Sequence, residues 1–222
     1  LRPDGGRLEL FGQVARVSSP SAAERLGIGL VPQEPMVEPN LTVFENLALG
    51  REETRSWGQL RKRAEILRAA QLLERVGLGY TSPTTLVSEL NVAERQLLQI
   101  ARALGVDARI LILDEPTSAL TVGETESLFA LLRQLKATGV TLIYVSHRLG
   151  EIFDLCDRVT VLRDGQVAGV LTITQATPAQ VIEGMAGEAG AHAITAQAEE
   201  ERLPEPAGPV LLEVRGLSSP PS

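Results

Sequence analysis

The sequence predicts an α/β fold built around a parallel sheet, and three stretches carry that expectation. Residues 109–113 (RILIL) form a short, nearly all-apolar run, the pattern of a strand in a parallel sheet covered on both faces. Thr121 followed by Glu124 is a capping-box signal, and the helix it opens runs to about Thr138, just before Gly139. Residues 141–146 (TLIYVS) make the next apolar strand. Strand, helix, strand in that order is a right-handed crossover between parallel neighbours.

The remaining elements follow along the chain. Residues 7–11 (RLELF) alternate as a strand closed by Gly12, and residues 28–31 make a short strand ending at Pro32 and Gln33. Between 59 and 76, Leu60, Ala64, Leu67, Ala70, Leu73 and Val76 recur at steps of three and four, with Gly77 where the helix stops. Asn91 and Glu94 cap a helix that starts at 92 and carries Leu97, Ile100 and Leu104 on one face. Residues 149–156 read as helical. Residues 159–162 and 167–171 read as strands joined through Asp164 and Gly165, which tolerate the positive φ of a tight hairpin. From about 188 to 209 the composition turns to Ala, Glu and Pro, with Glu199, Glu200 and Glu201 in a row, as in a linker. Residues 210–217 (VLLEVRGL) then begin a fresh strand.

Composition narrows the function classes. With 222 residues, 44% hydrophobic and 22% charged, the chain suits a globular protein of one sizeable domain plus a remainder. A single cysteine, Cys156, leaves no intramolecular disulfide and favours a reducing cytoplasmic setting. The net charge of -7 argues against nucleic acid as a partner. No apolar run approaches the roughly 18 residues of a membrane span, and no charged-then-apolar leader opens the chain. It starts at Leu1, with methionine only at 36 and 185, so it reads as truncated.

The residues able to carry chemistry sit at strand ends. In residues 110–116 (ILILDEP) two adjacent carboxylates, Asp114 and Glu115, leave the C-terminal end of a buried strand, the edge at which open α/β sheets bind ligands. An Asp there suits Mg²⁺, often held through water, and a Glu there suits orienting or deprotonating an attacking water. The plain alternative is a polar strand-to-loop junction capped by Pro116. His147 follows Ser146 at the end of the neighbouring strand, where an imidazole can donate to a phosphoryl oxygen; a lone histidine is otherwise a structural residue. Gln33 offers an amide at the same edge. The helix start at Asn91 presents free N–H groups suited to phosphate, or is simply an N-cap.

Taken in order, Gln33, LNVAERQ at 90–96, LILDEP at 111–116, SALT at 118–121 and SH at 146–147 resemble the ATP-binding-cassette (ABC) ATPases. The resemblance covers residues 1–187 and implies a P-loop NTPase-like fold, a parallel sheet core with a helical subdomain at about 40–105. By it, Gln33 is the Q-loop glutamine, and Leu90, Asn91, Val92, Ala93 and Glu94 are the signature, acting in trans on a nucleotide held by another cassette. Asp114 and Glu115 are Walker B, Ser118, Ala119 and Leu120 the D-loop, and His147 the switch histidine. Glu115 and His147 are thereby the catalytic pair, and Gln33 and Asp114 the ligands of ATP and its Mg²⁺.

Residues 27–50 and 114–166 are similar to the first cassette of the tandem ATPase subunits of monosaccharide importers, with 188–209 as the linker and 210–222 as the truncated start of a second cassette. The implied partners are transmembrane permease subunits, a second cassette and, indirectly, an extracytoplasmic sugar-binding protein, at the cytoplasmic face of the plasma membrane. Residues 34–50 are the stretch expected to touch the membrane partner, or else a packed loop.

Three positions depart from the family pattern. The signature usually reads Leu-Ser-Gly-Gly-Gln, and Thr121 stands where the D-loop usually has Asp. The phosphate-cradling GxxxxGK[ST] loop is absent, because the chain's two lysines, Lys62 and Lys136, follow Arg61 and Leu135 rather than glycine. The expected function is therefore an ATP-hydrolysing subunit of a ribose-, galactose- or xylose-type importer, with the N-terminal strands and P-loop lost and the isolated chain inactive. A nucleoside importer, a soluble ABC ATPase of repair or translation, and a fragment that only binds partners are the other classes.

Overall fold

A computed structural model describes residues 5–50 and 62–186. The linker and the fresh strand expected at 188–217 lie outside the described residues. The chain divides into two compact units, Leu1–Cys156 and Asp157–Ser222.

In the first unit a small antiparallel hairpin, β1 (Leu8–Leu10) with β2 (Gln13–Ala15), precedes a six-residue helix α1 (Pro20–Arg25). There follow β3 (Ile28–Val31), α2 (Val43–Ala48), α3 (Lys62–Arg75), α4 (Val92–Leu104), β4 (Ile110–Asp114), α5 (Val122–Ala137), β5 (Thr141–Val145) and α6 (Leu149–Leu155). The sheet order is β3-β4-β5, parallel throughout. The long excursion through α2, α3 and α4 separates β3 from β4, and α5 alone separates β4 from β5.

The period of two along the strands divides the sheet into unlike faces. Val31, Leu111 and Leu113 are completely buried and join one core with Leu98, Ile100, Leu128 and Leu132 of α4 and α5. On the opposite face, Leu30, Ile112 and Ile143 lie side by side in register, and Leu30 is 60% exposed. The all-apolar strand led to an expectation of cover on both faces. Among the described residues only one face is closed, because both crossovers contribute their packed helices to that side.

Local chemistry explains the helix starts. The Asn91 side chain accepts from Glu94 N at 2.9 Å, and Glu94 Oε2 accepts from Asn91 N at 2.9 Å, so two otherwise unpaired donors are satisfied at the start of α4. Thr121 and Glu124 repeat the exchange on α5. Gly29 lets α4 pack directly on β3: a Cβ there would stand 2.9 Å from the carbonyl oxygen of Ala103. Gly29→Ala is therefore expected to destabilise the protein by about 1–3 kcal/mol, as overpacking of a closed core does, and chemical denaturation against the wild type measures it.

The second unit pairs β6 (Arg158–Arg163) with β7 (Gln166–Thr172), and residues 178–186 are helical. Asp164 and Gly165 close the hairpin with φ of 52° and 75°, the pair of positive values that a two-residue turn of matching twist requires.

Candidate nucleotide-hydrolysis site

Two parallel strands deliver the candidate residues to one edge of the sheet. Asp114 is the last residue of β4 and pairs in register with Val145, the last of β5, so the two chains leave the sheet together. The Glu115 amide still donates to the Val145 carbonyl at 2.9 Å, after which the backbone turns sharply with Glu115 at φ 43°. A left-handed conformation at a glutamate is uncommon and concentrates at functional sites. Here it releases the chain into a tight turn in which Ser118 N donates to the Glu115 carbonyl at 3.2 Å.

The Glu115 carboxylate is held between two neighbours. Its Oε1 lies 2.9 Å from His147 Nδ1, and its Oε2 accepts from Gln33 Nε2 at 3.2 Å. Three residues separated by 82 and 32 positions in sequence thus meet because β3, β4 and β5 end level with one another. The site is open: the Glu115 side chain is 28% exposed and that of His147 66%. Asp114 is exposed on the sheet face that carries Ile112 and Val145. Its carboxylate and the Gln33 Oε1 accept no hydrogen bond among the described residues, leaving a carboxylate and an amide oxygen, both hard donors, at the edge. That donor set fits Mg²⁺, which binds through one or two protein oxygens and otherwise through water and substrate phosphates.

The loop beyond Gln33 is anchored to α4. Gln99 Nε2 donates to the Glu34 carbonyl at 3.4 Å, and Arg102 Nη1 to that of Met36 at 3.1 Å. Downstream, within the stretch expected either to touch the membrane partner or to be a packed loop, residues 43–48 make the helix α2, and its buried Asn46 exchanges hydrogen bonds with both backbone groups of Glu38.

The residues at 90–94 are placed elsewhere. Leu90 is buried, Asn91 and Val92 are exposed, and Ala93 and Glu94 are half-buried at the start of α4, where Glu94 also accepts from the Tyr80 hydroxyl at 3.0 Å. The hydrogen bonds of Asn91 run to Glu94, and those of Glu115 to Gln33 and His147. Ser118 and Ala119 are exposed, and Leu120 packs partly against the core.

One residue that sequence reasoning passed over stands behind the site. Glu151, in the first turn of α6, is buried and accepts from the hydroxyls of Thr117, Tyr144 and Ser146. Burial pushes its carboxyl up, but the three hydroxyls and the Arg148 charge outweigh burial and hold it below the usual carboxylate value. Burial, with the hydrogen bond to Glu151, pushes the Tyr144 hydroxyl well above its ordinary value. The signal that could have found Glu151 is its place four residues after His147, close enough to reach back to the same strand end.

Gln33, Glu115 and His147 thus meet at the C-terminal edge of a parallel α/β sheet, and residues 1–118 match the ABC transporter family. The chain belongs to that family. It is 42% identical over 220 residues to the ribose import ATP-binding protein RbsA 2 of Agrobacterium fabrum, covering 98% of this chain and 42% of that protein. It is 44% identical over 218 residues to the ribose import ATP-binding protein RbsA 3 of Rubrobacter xylanophilus, again 98% of this chain and 42% of the relative. The chain thus spans about two fifths of the length of the curated relatives it matches. Among solved structures it is similar to the ADP conformation of MJ1267, an ATP-binding cassette of an ABC transporter, with TM-score 0.70 and 25% identity over 85% of this chain and 79% of that one.

Proposed function

We propose that the chain is the hydrolytic part of the energy-coupling ATPase of an ABC importer for a monosaccharide of the ribose, galactose or xylose type. The observation that carries this is the Glu115 carboxylate seated between His147 and Gln33 at the sheet edge. Glu115 is the general base that orients the attacking water. His147 spends Nδ1 on Glu115, which leaves Nε2 to face a phosphoryl oxygen and to donate to it when the ring carries both protons. Asp114 and the Gln33 carbonyl oxygen would hold the Mg²⁺ that accompanies ATP, and an ion there would supply positive charge against the phosphates. The exposed start of α4 at Asn91 serves a nucleotide held by a second cassette, which explains why it makes no bond to Glu115 in this chain. These residues contain no GxxxxGK[ST] cradle of their own.

The protein then works at the cytoplasmic face of the membrane with permease subunits, which residues 34–50 contact, and an extracytoplasmic sugar-binding protein is its partner only indirectly. Identity to ribose import proteins supports the solute class. Uptake in a strain lacking the gene tests it. Loss of labelled monosaccharide uptake, restored by the wild-type gene and not by Glu115→Gln, is the expected outcome. Unchanged uptake of ribose, galactose and xylose, or loss of nucleoside uptake alone, contradicts it.

A further inference from the structure

Glu151 offers more than packing. A buried carboxylate is costly unless its oxygens are well satisfied, and an apolar side chain of similar size would fill the same space without that cost. Its donors are not scattered over the core. Thr117 Oγ1 donates to Oε1 at 2.7 Å, from the turn that begins at Glu115. Tyr144 OH and Ser146 Oγ donate to Oε2 at 2.8 and 3.0 Å, from β5 and the residue directly before His147. Arg148, directly after His147, approaches Oε1 through Nη1 at 3.4 Å and donates its backbone amide to Ser146 Oγ at 3.0 Å. One carboxylate therefore grips the residues on both sides of His147 and the residue two beyond Glu115.

We propose that Glu151 is a positioning residue for hydrolysis, tying the turn after β4 to the turn after β5 so that His147 stands against Glu115. The proposal rests on the hydrolytic reading of Glu115 and His147. Both side chains are partly exposed, and their own 2.9 Å contact competes with water. The buried network beneath fixes the two backbones instead, where solvent does not compete. Releasing it lets His147 and Glu115 drift apart while Asp114 and Gln33 keep their places at the strand ends. Loss of kcat without loss of ATP affinity is the consequence.

The test uses the full-length ATPase and steady-state phosphate release. Glu151→Ala is expected to lower kcat by about 10- to 100-fold, the scale of small misplacements of catalytic groups, with KM for ATP within about twofold of wild type. Glu151→Gln keeps an acceptor oxygen and an amide that rotating hydroxyls can accept, and is expected to recover most of the rate. In a His147→Ala background, Glu151→Ala should add little, since residues acting as a unit are non-additive. A Glu151→Ala enzyme with wild-type kcat, or one whose loss is fully additive with His147→Ala, overturns the proposal. If Glu151→Ala fails to fold, Thr117→Val and Tyr144→Phe each delete one hydrogen bond at constant shape: lower kcat at unchanged KM supports the tie, and wild-type kcat in both overturns it. Wild-type turnover in Glu115→Gln is a separate result that defeats the hydrolytic reading beneath.

Discussion

Glu115→Gln in the full-length protein is expected to cut ATP turnover by about 10²- to 10⁴-fold, the usual worth of general-base catalysis, while ATP binding is retained. The glutamine keeps one oxygen for the hydrogen bond from Gln33 and preserves the volume between Gln33 and His147, so the edge of the sheet retains its shape. What it removes is the negative charge that draws a proton from water. A filter-binding or fluorescence titration of ATP, run beside phosphate release, separates the two effects. Equal loss of binding and turnover would mean that the carboxylate holds the site together instead of activating water.

A polypeptide of these 222 residues alone is expected to release no phosphate from Mg²⁺ and ATP. Phosphoryl transfer depends mainly on positioning and on electrostatic stabilisation of the β- and γ-phosphates, and the sequence contains no GxxxxGK[ST] to supply them. The described fold adds a second handicap. Leu30, Ile143 and Val145 are 60%, 48% and 48% exposed, and they lie on one sheet face as an apolar strip. Such a strip favours association of the isolated chain, which light scattering would register. Turnover that vanishes on Glu115→Gln, excluding a contaminant, would reveal a phosphate site outside the motifs described above.

Much of the architecture was legible because local and tertiary signals agree. β4 is a continuous apolar run that no helix-capping pattern interrupts, and the Asn91–Glu94 and Thr121–Glu124 pairs announce α4 and α5 within a residue. The hairpin of β6 and β7 follows from Asp164-Gly165. The shorter elements escaped. β2 has three residues and little burial, so its pattern is too brief to register, whereas Ser19-Pro20 and Thr42…Glu45 are helix-start signals that were present and outweighed by the loop-like sequence around them. At the site, the shared sheet edge of Gln33, Glu115 and His147 was legible from their places after apolar strands. Glu151 was not, because a carboxylate in the first turn of a helix ordinarily faces solvent, and its burial exists only once β4 and β5 bring Thr117, Tyr144 and Ser146 around it. The positive φ of Glu115 likewise has no sequence signature.

Gln33, Asp114, Glu115 and His147 are expected to attend one nucleotide. A crystal structure of the full-length Glu115→Gln protein with ATP and Mg²⁺ tests it most directly. The expected structure has the γ-phosphate within hydrogen-bond reach of the His147 ring, Mg²⁺ on the side of Asp114 and Gln33, and residue 115 facing the water in line for attack. A nucleotide bound away from the C-terminal edge of β4 and β5, or a His147 ring turned from the phosphate with no water between them, would contradict it.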